Sequence, residues 1–241
     1  MRRQAAESVL LWSLTTLFVL ALWGVAHAGG AAGAPPQPAA ATPVISSLES
    51  SLVAPVERRL TAAAEVRAVG GPDSFGYQFD DTMGFQWISA TIGMNTGIIG
   101  DDQYGGPYDI GFPFRFYGSF YTQLYVSTNG FVSLGAPSSA FGNICLPSAS
   151  APLGLIAPFW DDLAVGPGHN AGAIYVLQGG GAPNRYVVVE WNNVTRLGAP
   201  DLLTFQVVLH ENGNIFFNYH ALNGALTSAT AGIQNVERTD G

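Results

Sequence analysis

The sequence carries little charge, and its basic residues are all arginine. Charged residues make up 11% of the 241 positions, whereas about a quarter is usual for a globular protein. No lysine occurs, and 17 acidic residues outnumber 9 basic ones, which gives a formal net charge of −8 at pH 7. A chain of this sign repels phosphate backbones, so we expect no nucleic acid among its partners.

Cysteine is almost absent as well. The single residue, Cys145, excludes an internal disulfide framework and a structural zinc site built on paired cysteines. A lone cysteine is either buried and inert or an intermolecular partner. Because Ile144 and Leu146 flank it, we expect the thiol to be buried. Since 48% of the residues are hydrophobic, the bulk of the chain does not have the composition of a disordered protein.

The N-terminal residues have the pattern of a targeting signal. A pair of N-terminal arginines precedes an apolar run over residues 9–26, and the small residues Ala26-His27-Ala28 end it. This pattern predicts a secretory signal peptide over residues 1–28, and therefore a secreted or cell-surface protein. The run is also just long enough to span a bilayer, so retention as an uncleaved anchor stays open. Contact with a membrane is expected through this segment only.

A spacer is expected between the signal and the folded domain. Residues 29–43 are almost entirely alanine, glycine and proline, a composition that favours a flexible or extended linker. The mixed stretch after it has no strong apolar face, so residues 29–69 are interpreted together as a linker or stalk. The folded domain then occupies residues 70–241.

From residue 75 onward the sequence shows short apolar runs separated by turn residues, and no helical period longer than two turns. Residues 108–117 alternate between apolar and other side chains, which directs one face of a strand into a core. That face consists of Ile110, Phe112, Phe114 and Phe116. Pro113 lies on the other face and indicates a sheet edge or a bulge, because proline cannot donate to a ladder.

Two asparagine-glycine pairs predict β-hairpins. Asn129-Gly130 divides residues 124–134, and Asn212-Gly213 turns residues 203–209 back onto the strand that follows. This dipeptide is the strongest short-range signal for a hairpin turn. Regularly spaced short strands with such turns are typical of a sandwich or a barrel. We predict an all-β domain, an antiparallel β-sandwich with jelly-roll-like connectivity, preceded by the signal peptide and the flexible linker.

Several of these pieces, in this order, carry a family resemblance. They are the Asn129-Gly130 turn before a strand, the block Ala157-Pro-Phe-Trp-Asp161, and Trp191 followed by paired strands. With them, the region from residue 72 to 241 resembles β-sandwich modules of secreted and surface-anchored bacterial proteins and, more distantly, the extracellular nidogen-like (NIDO) domain. The resemblance implies a non-catalytic extracellular module for adhesion or matrix assembly, with an extracellular protein or polysaccharide as partner. It supplies no catalytic residues. Residues 237–241 are a turn signal, and the modules that this domain resembles usually continue into another strand; the resemblance therefore implies that the domain is truncated there and belongs to a longer protein.

Paired aspartates are the candidate metal ligands. Asp101-Asp102 and Asp161-Asp162 fall in turn regions, and hard cations such as calcium take carboxylate and carbonyl oxygens. Asp161-Asp162 is the better pair, because the apolar run before it should place it at a strand end. The alternative is that all four cap turns and bond the local backbone, since neither pair forms a D-x-[DN]-x-[DN]-G loop. Calcium is the one cofactor that the sequence suggests.

No catalytic constellation stands out, and we predict a protein that is not an enzyme. Glu190 lies beside Trp191, as an acid at a sugar site would, but strand alternation turns the two side chains apart, and we expect Glu190 to face solvent. H-E-x-x-H and G-x-S-x-G motifs are absent. His210 and His220 bracket the second hairpin turn and are expected to be neighbours, without an identified third metal ligand.

Aromatic residues are abundant, and most fit a sandwich core. Tyr104, Tyr108, Tyr117 and Tyr121 have glycine and polar neighbours, so we expect them at the surface as a candidate ligand-binding row. The leading functional hypothesis is an adhesive, matrix-associated or spacing module of a larger secreted protein. Two alternatives stay open, a carbohydrate-binding module with or without calcium, and the accessory domain of a secreted hydrolase.

Overall fold

The computed structural model describes residues 69–224 and 226–241. The predicted signal peptide and all but the last residue of the predicted linker lie outside the described residues. Every regular element in the described part is a β-strand. No helix there is long and apolar enough to cross a membrane.

The strands follow one another at short intervals, as the turn signals predict. They are β1 (Val69–Gly70), β2 (Phe79–Asp80), β3 (Met94–Asn95), β4 (Gly100–Asp101), β5 (Tyr104–Phe116), β6 (Ser119–Ser127), β7 (Val132–Ser133), β8 (Leu155–Trp160), β9 (Leu163–Val165), β10 (Ala173–Gly179), β11 (Tyr186–Arg196), β12 (Leu202–His210), β13 (Ile215–Asn223) and β14 (Thr230–Gln234). Both asparagine-glycine pairs join antiparallel neighbours, β6 to β7 and β12 to β13.

Two large antiparallel sheets make up the domain. The seven-stranded sheet has the order β13-β12-β11-β10-β3, with β9 beside β11 and β4 beside β9; the five-stranded sheet has the order β14-β8-β7-β6-β5. A separate two-stranded sheet joins β1 and β2. The predicted all-β antiparallel sandwich is confirmed. The jelly-roll-like detail is not, because each sheet contains a run of four strands that are consecutive both in the sheet and in the chain, which is a meander.

The main core lies between the two large sheets. The predicted face of β5 is buried in it, and it meets side chains of β11 and β12 from the opposite sheet. Trp191 of β11 bridges the layers, since its Nε1 donates a 2.9 Å hydrogen bond to the carbonyl oxygen of Ser127 at the end of β6. Pro113 meets both expectations, because β5 is a sheet edge and its register shifts between Asp109 and Phe114.

The outer face of the seven-stranded sheet is covered by the segment before β3, and this overturns one expectation. Glu190 is only 1% exposed and does not face solvent. Its Oε2 accepts a 2.7 Å hydrogen bond from the backbone N–H of Ala90. Beside it in the register, Gln206 accepts from the N–H of Ile88 at 3.3 Å and donates to its carbonyl oxygen at 3.0 Å. Glu190 and Gln206 thus clamp residues 88–90 across the sheet.

The outer face of the five-stranded sheet is covered as well, by the segment between β7 and β8. Trp160 and Phe131 lie beneath it with Leu146 packed against them, and the Trp160 Nε1 donates to the carbonyl oxygen of Ala140 at 2.8 Å. Cys145 lies on this segment, and the expectation that it is buried is wrong, because it is exposed. Of its two apolar neighbours only Leu146 packs inward, whereas Ile144 is itself exposed.

Candidate functional site

Three connections between strands meet at one buried asparagine. Asn129, in the turn between β6 and β7, is inaccessible to solvent. Its Nδ2 donates to Asp102 Oδ1 at 2.8 Å and to the carbonyl oxygen of Ser139 at 3.1 Å. Its Oδ1 accepts from the backbone N–H of Leu163 at 2.9 Å. The turn therefore ties the link between β4 and β5 to the link between β8 and β9.

The glycine after Asn129 makes this close approach feasible. Gly130 has a φ of +77°, in the left-handed region where side chains are strained. A Cβ at this position would lie 1.8 Å from the carbonyl oxygen of Phe159. The dipeptide therefore serves tertiary packing against β8 as well as the hairpin turn.

The two links that Asn129 joins carry an acidic cluster. Asp101, Asp102 and Asp162 each offer a carboxylate oxygen, and these oxygens all lie within 4.8 Å of one another. Asp101 ends β4, Asp102 follows with a positive φ of 51°, and Asp162 directly precedes β9. The structure thus brings together three of the four predicted metal ligands, from positions about 60 residues apart in the chain.

The electrostatics of the cluster are unfavourable when all its carboxylates are charged. Burial, followed by the nearby charges of Asp101 and Asp102, raises the pKa of Asp162 above its usual value. The Oδ1 atoms of Asp101 and Asp162 are shielded from solvent and have no hydrogen-bond partner within the described residues. Such converging carboxylate oxygens are the donor type that a hard divalent cation takes.

The fourth predicted ligand, Asp161, lies outside the cluster and is engaged elsewhere. Its Oδ1 accepts the N–H of Asp162 at 2.9 Å, and its Oδ2 accepts the hydroxyl of Ser228. Arg196, which pairs with Asp201, donates to the same hydroxyl at 3.1 Å. Asp161 therefore holds the segment before β14 against the link between β8 and β9.

One known protein family matches nearly all of the described sandwich. Residues 76–240 match the family described as NIDO related. The chain belongs to the NIDO-related family. No curated protein and no solved structure matches it. Membership confirms the distant similarity to the NIDO domain that the sequence predicts, and it indicates a non-enzymatic extracellular module.

The four predicted surface tyrosines are not one exposed row in this NIDO-related domain. Tyr104 is 51% exposed, whereas Tyr108 and Tyr121 are half-buried and pack against the main core. The expectation for Tyr117 is wrong, because it is 8% exposed. Its ring lies 4.7 Å, centroid to centroid, from those of both Tyr77 and Phe116, and burial and nearby Asp73 raise the pKa of its hydroxyl.

A different set of rings lies at the surface next to the Glu190 and Gln206 clamp. Phe85 is 60% exposed, and its ring lies nearly parallel to that of Trp87, with centroids 6.2 Å apart. Trp87 in turn contacts the ring of exposed His220 on β13, at 5.1 Å. We call Phe85, Trp87 and His220 the ring surface. Sequence reasoning missed it because Phe85 and Trp87 precede β3 in a segment without strand alternation.

The two histidines of the second hairpin are separate. His210 packs against Tyr186 and Phe216, and burial lowers its pKa. His220 lies beyond the middle of the β12–β13 ladder, opposite the bulge between Thr204 and Phe205. The expectation that they are neighbours is wrong, because the hairpin extends beyond Tyr219 and carries His220 away from the turn.

A shallow surface cleft of about 450 Å³ lies beside Phe112 and Arg185. The Arg185 guanidinium stands over the Phe112 ring at 5.6 Å and donates to Glu211 and to the carbonyl oxygen of Gly111. The Glu211 carboxylate raises the pKa of Arg185, and Arg185 lowers that of Glu211. The pair fastens β11 to the second hairpin turn and to β5.

Proposed function

We propose that this chain is a non-catalytic extracellular or cell-surface module that serves adhesion, matrix association or structural spacing. The observation that carries the proposal is the family match, because it covers residues 76–240 and hence nearly all of the described sandwich. The buried carboxylate of Glu190 supports the non-catalytic part, since it is occupied by Ala90 and by Asn192, which donates to it at 2.7 Å. Its surroundings are those of a structural clamp.

Export and adhesion are tested together in cells that produce the full chain. Protease added to intact cells should degrade the chain if it is displayed outside, and collected medium should contain it if it is released. Attachment of the displaying cells to beads coated with collagen or with hyaluronan is then compared with attachment to uncoated beads. A chain that stays inside, protected from protease, would contradict the proposal. Display without attachment would reject adhesion to these two coatings and favour spacing.

We further propose that the Asp101, Asp102 and Asp162 cluster binds calcium. The three carboxylates would hold the cation, and the Asn129 hydrogen bond to Asp102 would orient one of them. Support comes from the two shielded oxygens without a partner and from the raised pKa of Asp162, both of which a divalent cation would relieve. The cation would join the two links around β4 and β9. Its test is the calcium dependence of stability, given in the Discussion.

Carbohydrate binding is the second candidate function, and the ring surface favours it. The exposed ring of Phe85, nearly parallel to that of half-buried Trp87, offers an apolar face on which a sugar can stack, and the neighbouring exposed side chain of Gln86 supplies an amide group. Electrophoresis of the full chain through gels containing hydroxyethylcellulose or laminarin measures this binding as retardation. Wild type should be retarded and Phe85→Ala should migrate as in a plain gel, whereas Phe120→Ala, the matched control at an exposed phenylalanine outside the ring surface, should be retarded like wild type. Equal mobility of all three in every gel would reject a glucan-binding role.

A further inference from the structure

The sheet edges of the described part differ in how well they are protected. β3 and β4 are edge strands of two residues each. β5 carries Pro113 and two register shifts, and β14 is interrupted by a shift between Thr230 and Gly232. Short strands, proline and bulges are the devices by which proteins keep an edge from pairing with another chain.

β13 lacks these devices over its first half. It runs for nine residues at an edge of the seven-stranded sheet, and within residues 69–224 and 226–241 it pairs with β12 only. Its register is uninterrupted from Ile215 to Tyr219. The strand contains no aspartate, glutamate, lysine, arginine or proline. An edge of this kind is a template for strand addition.

The hydrogen-bond alternation shows which backbone groups the edge presents. His210 donates its N–H to the carbonyl oxygen of Asn214 at 2.9 Å, so that opposed pair is a hydrogen-bonded one. In an antiparallel ladder such pairs alternate with pairs whose N–H and C=O groups point away from the partner. Ile215, Phe217 and Tyr219 therefore direct their backbone groups outward, to the open side of β13.

This pattern is complementary to itself. In an antiparallel pairing of two β13 strands about Phe217, each outward-facing residue meets another, with Phe217 opposite its own copy and Ile215 opposite Tyr219 of the other copy. Each such pair exchanges both backbone hydrogen bonds. Two chains of net charge −8 repel one another, so an edge without ionised side chains is where they approach at the least electrostatic cost. A two-fold contact of this kind also closes and does not propagate.

We propose that β13 is a self-association edge, at which a second copy of this chain extends the seven-stranded sheet through antiparallel pairing about Phe217. The inference goes beyond the proposed function, because it concerns the partner at this edge and does not depend on export, calcium or sugar. The dimer of the NIDO-related module would carry two acidic clusters and two ring surfaces, one of each in each copy.

The test uses exposed positions at the ends of the proposed contact. Asn214 and His220 are both exposed, and they flank the uninterrupted stretch Ile215–Tyr219, so pairing about Phe217 brings Asn214 of one copy close to His220 of the other. Analytical ultracentrifugation of the full chain should give twice the monomer mass at high micromolar concentration. Asn214→Glu with His220→Glu sets like charges close to each other and should give the monomer. Asn214→Glu with His220→Arg sets opposite charges together and should restore the dimer.

Hydrogen exchange locates the contact independently of mass. The amides of Ile215, Phe217 and Tyr219 should exchange at least about tenfold more slowly at high than at low protein concentration, while that of Phe216, bonded within the ladder, should not change. A wild type that remains monomeric, a dimer that survives the double glutamate variant, or exchange at these three amides that ignores concentration would overturn the proposal. Failure of adhesion in displaying cells would leave these readouts unaffected.

Discussion

Asn129 donates a 2.8 Å hydrogen bond to Asp102 from a side chain that solvent does not reach. Asn129, which the sequence predicts as a hairpin-turn residue, thereby also positions the Asp102 carboxylate of the acidic cluster. The Asn129 side chain also accepts from Leu163, so the two links that carry the cluster are fixed to one another through it. The turn at Asn129 is therefore part of the framework of the candidate cation site.

Replacement of this asparagine should cost far more than replacement of the asparagine in the second hairpin turn. Asn129→Ala removes buried hydrogen bonds and leaves the Leu163 N–H unpaired, which we expect to lower the free energy of unfolding by about 3 kcal/mol. Asn212 caps its exposed turn through one bond to Asn214, so Asn212→Ala should cost under about 1 kcal/mol. Denaturant unfolding of both variants measures the difference, and equal losses would contradict the role assigned to Asn129.

The glycines that follow these asparagines give a second matched pair. Gly130→Ala drives a Cβ toward the carbonyl oxygen of Phe159, whereas at Gly213 a Cβ meets nothing within 4 Å. Both glycines have positive φ, so alanine at either position should introduce backbone strain of about 1 kcal/mol. Gly130→Ala should lose a further ~2 kcal/mol or more because β8 must shift. Similar thermal midpoints for the two variants would show that β8 does not pack on this turn as described.

The clamp at Glu190 predicts that alanine at this position lowers stability more than glutamine does. Glu190→Ala leaves the buried N–H of Ala90 without an acceptor and should cost about 1–3 kcal/mol of unfolding free energy. Glu190→Gln keeps an acceptor oxygen of the same reach and should cost less. Because the clamp holds the segment that carries Trp87, the alanine variant should also shift tryptophan emission to longer wavelength. Alanine and glutamine variants of equal stability would contradict the clamp.

The contribution of Asp162 to the free energy of unfolding should fall as the pH rises, whereas that of an ordinary paired carboxylate rises. The pKa of Asp162 is raised in the folded state, so the folded state binds its proton more tightly than the unfolded state does. Ionisation of Asp162 therefore lowers the free energy of unfolding. This loss is absent below the ordinary pKa of an aspartate and complete above the raised pKa. In chelator, the unfolding free energy of wild type relative to Asp162→Asn should fall as the pH rises through this window. A difference that stays constant or rises would contradict the raised pKa.

The fold was largely predictable because it depends on local patterns. Alternation over β5 and the Asn-Gly turns specify strands and hairpins from near neighbours in the chain. The wrong predictions concern which surfaces are covered. Alternation places Glu190 on the face opposite Trp191, but only the tertiary fold brings Ala90 over that face. Likewise, nothing local distinguishes Asp161 from Asp162, since Ser228 engages one of them from 67 residues away. The ring surface was missed because Phe85 and Trp87 lie in a segment without strand alternation and only the tertiary fold brings His220 beside them.

Cation binding at Asp101, Asp102 and Asp162 is proposed for this NIDO-related module. The most direct test is thermal unfolding of the full chain in calcium and in excess chelator. Calcium should raise the midpoint, by about 2.7 kcal/mol of stability at a hundredfold excess over its dissociation constant. Asp162→Asn should abolish this shift, whereas Asp161→Asn should lower the midpoint in both conditions and keep the shift. A wild-type midpoint that is the same in calcium and in chelator would contradict the claim, and the aspartates would then be turn residues alone.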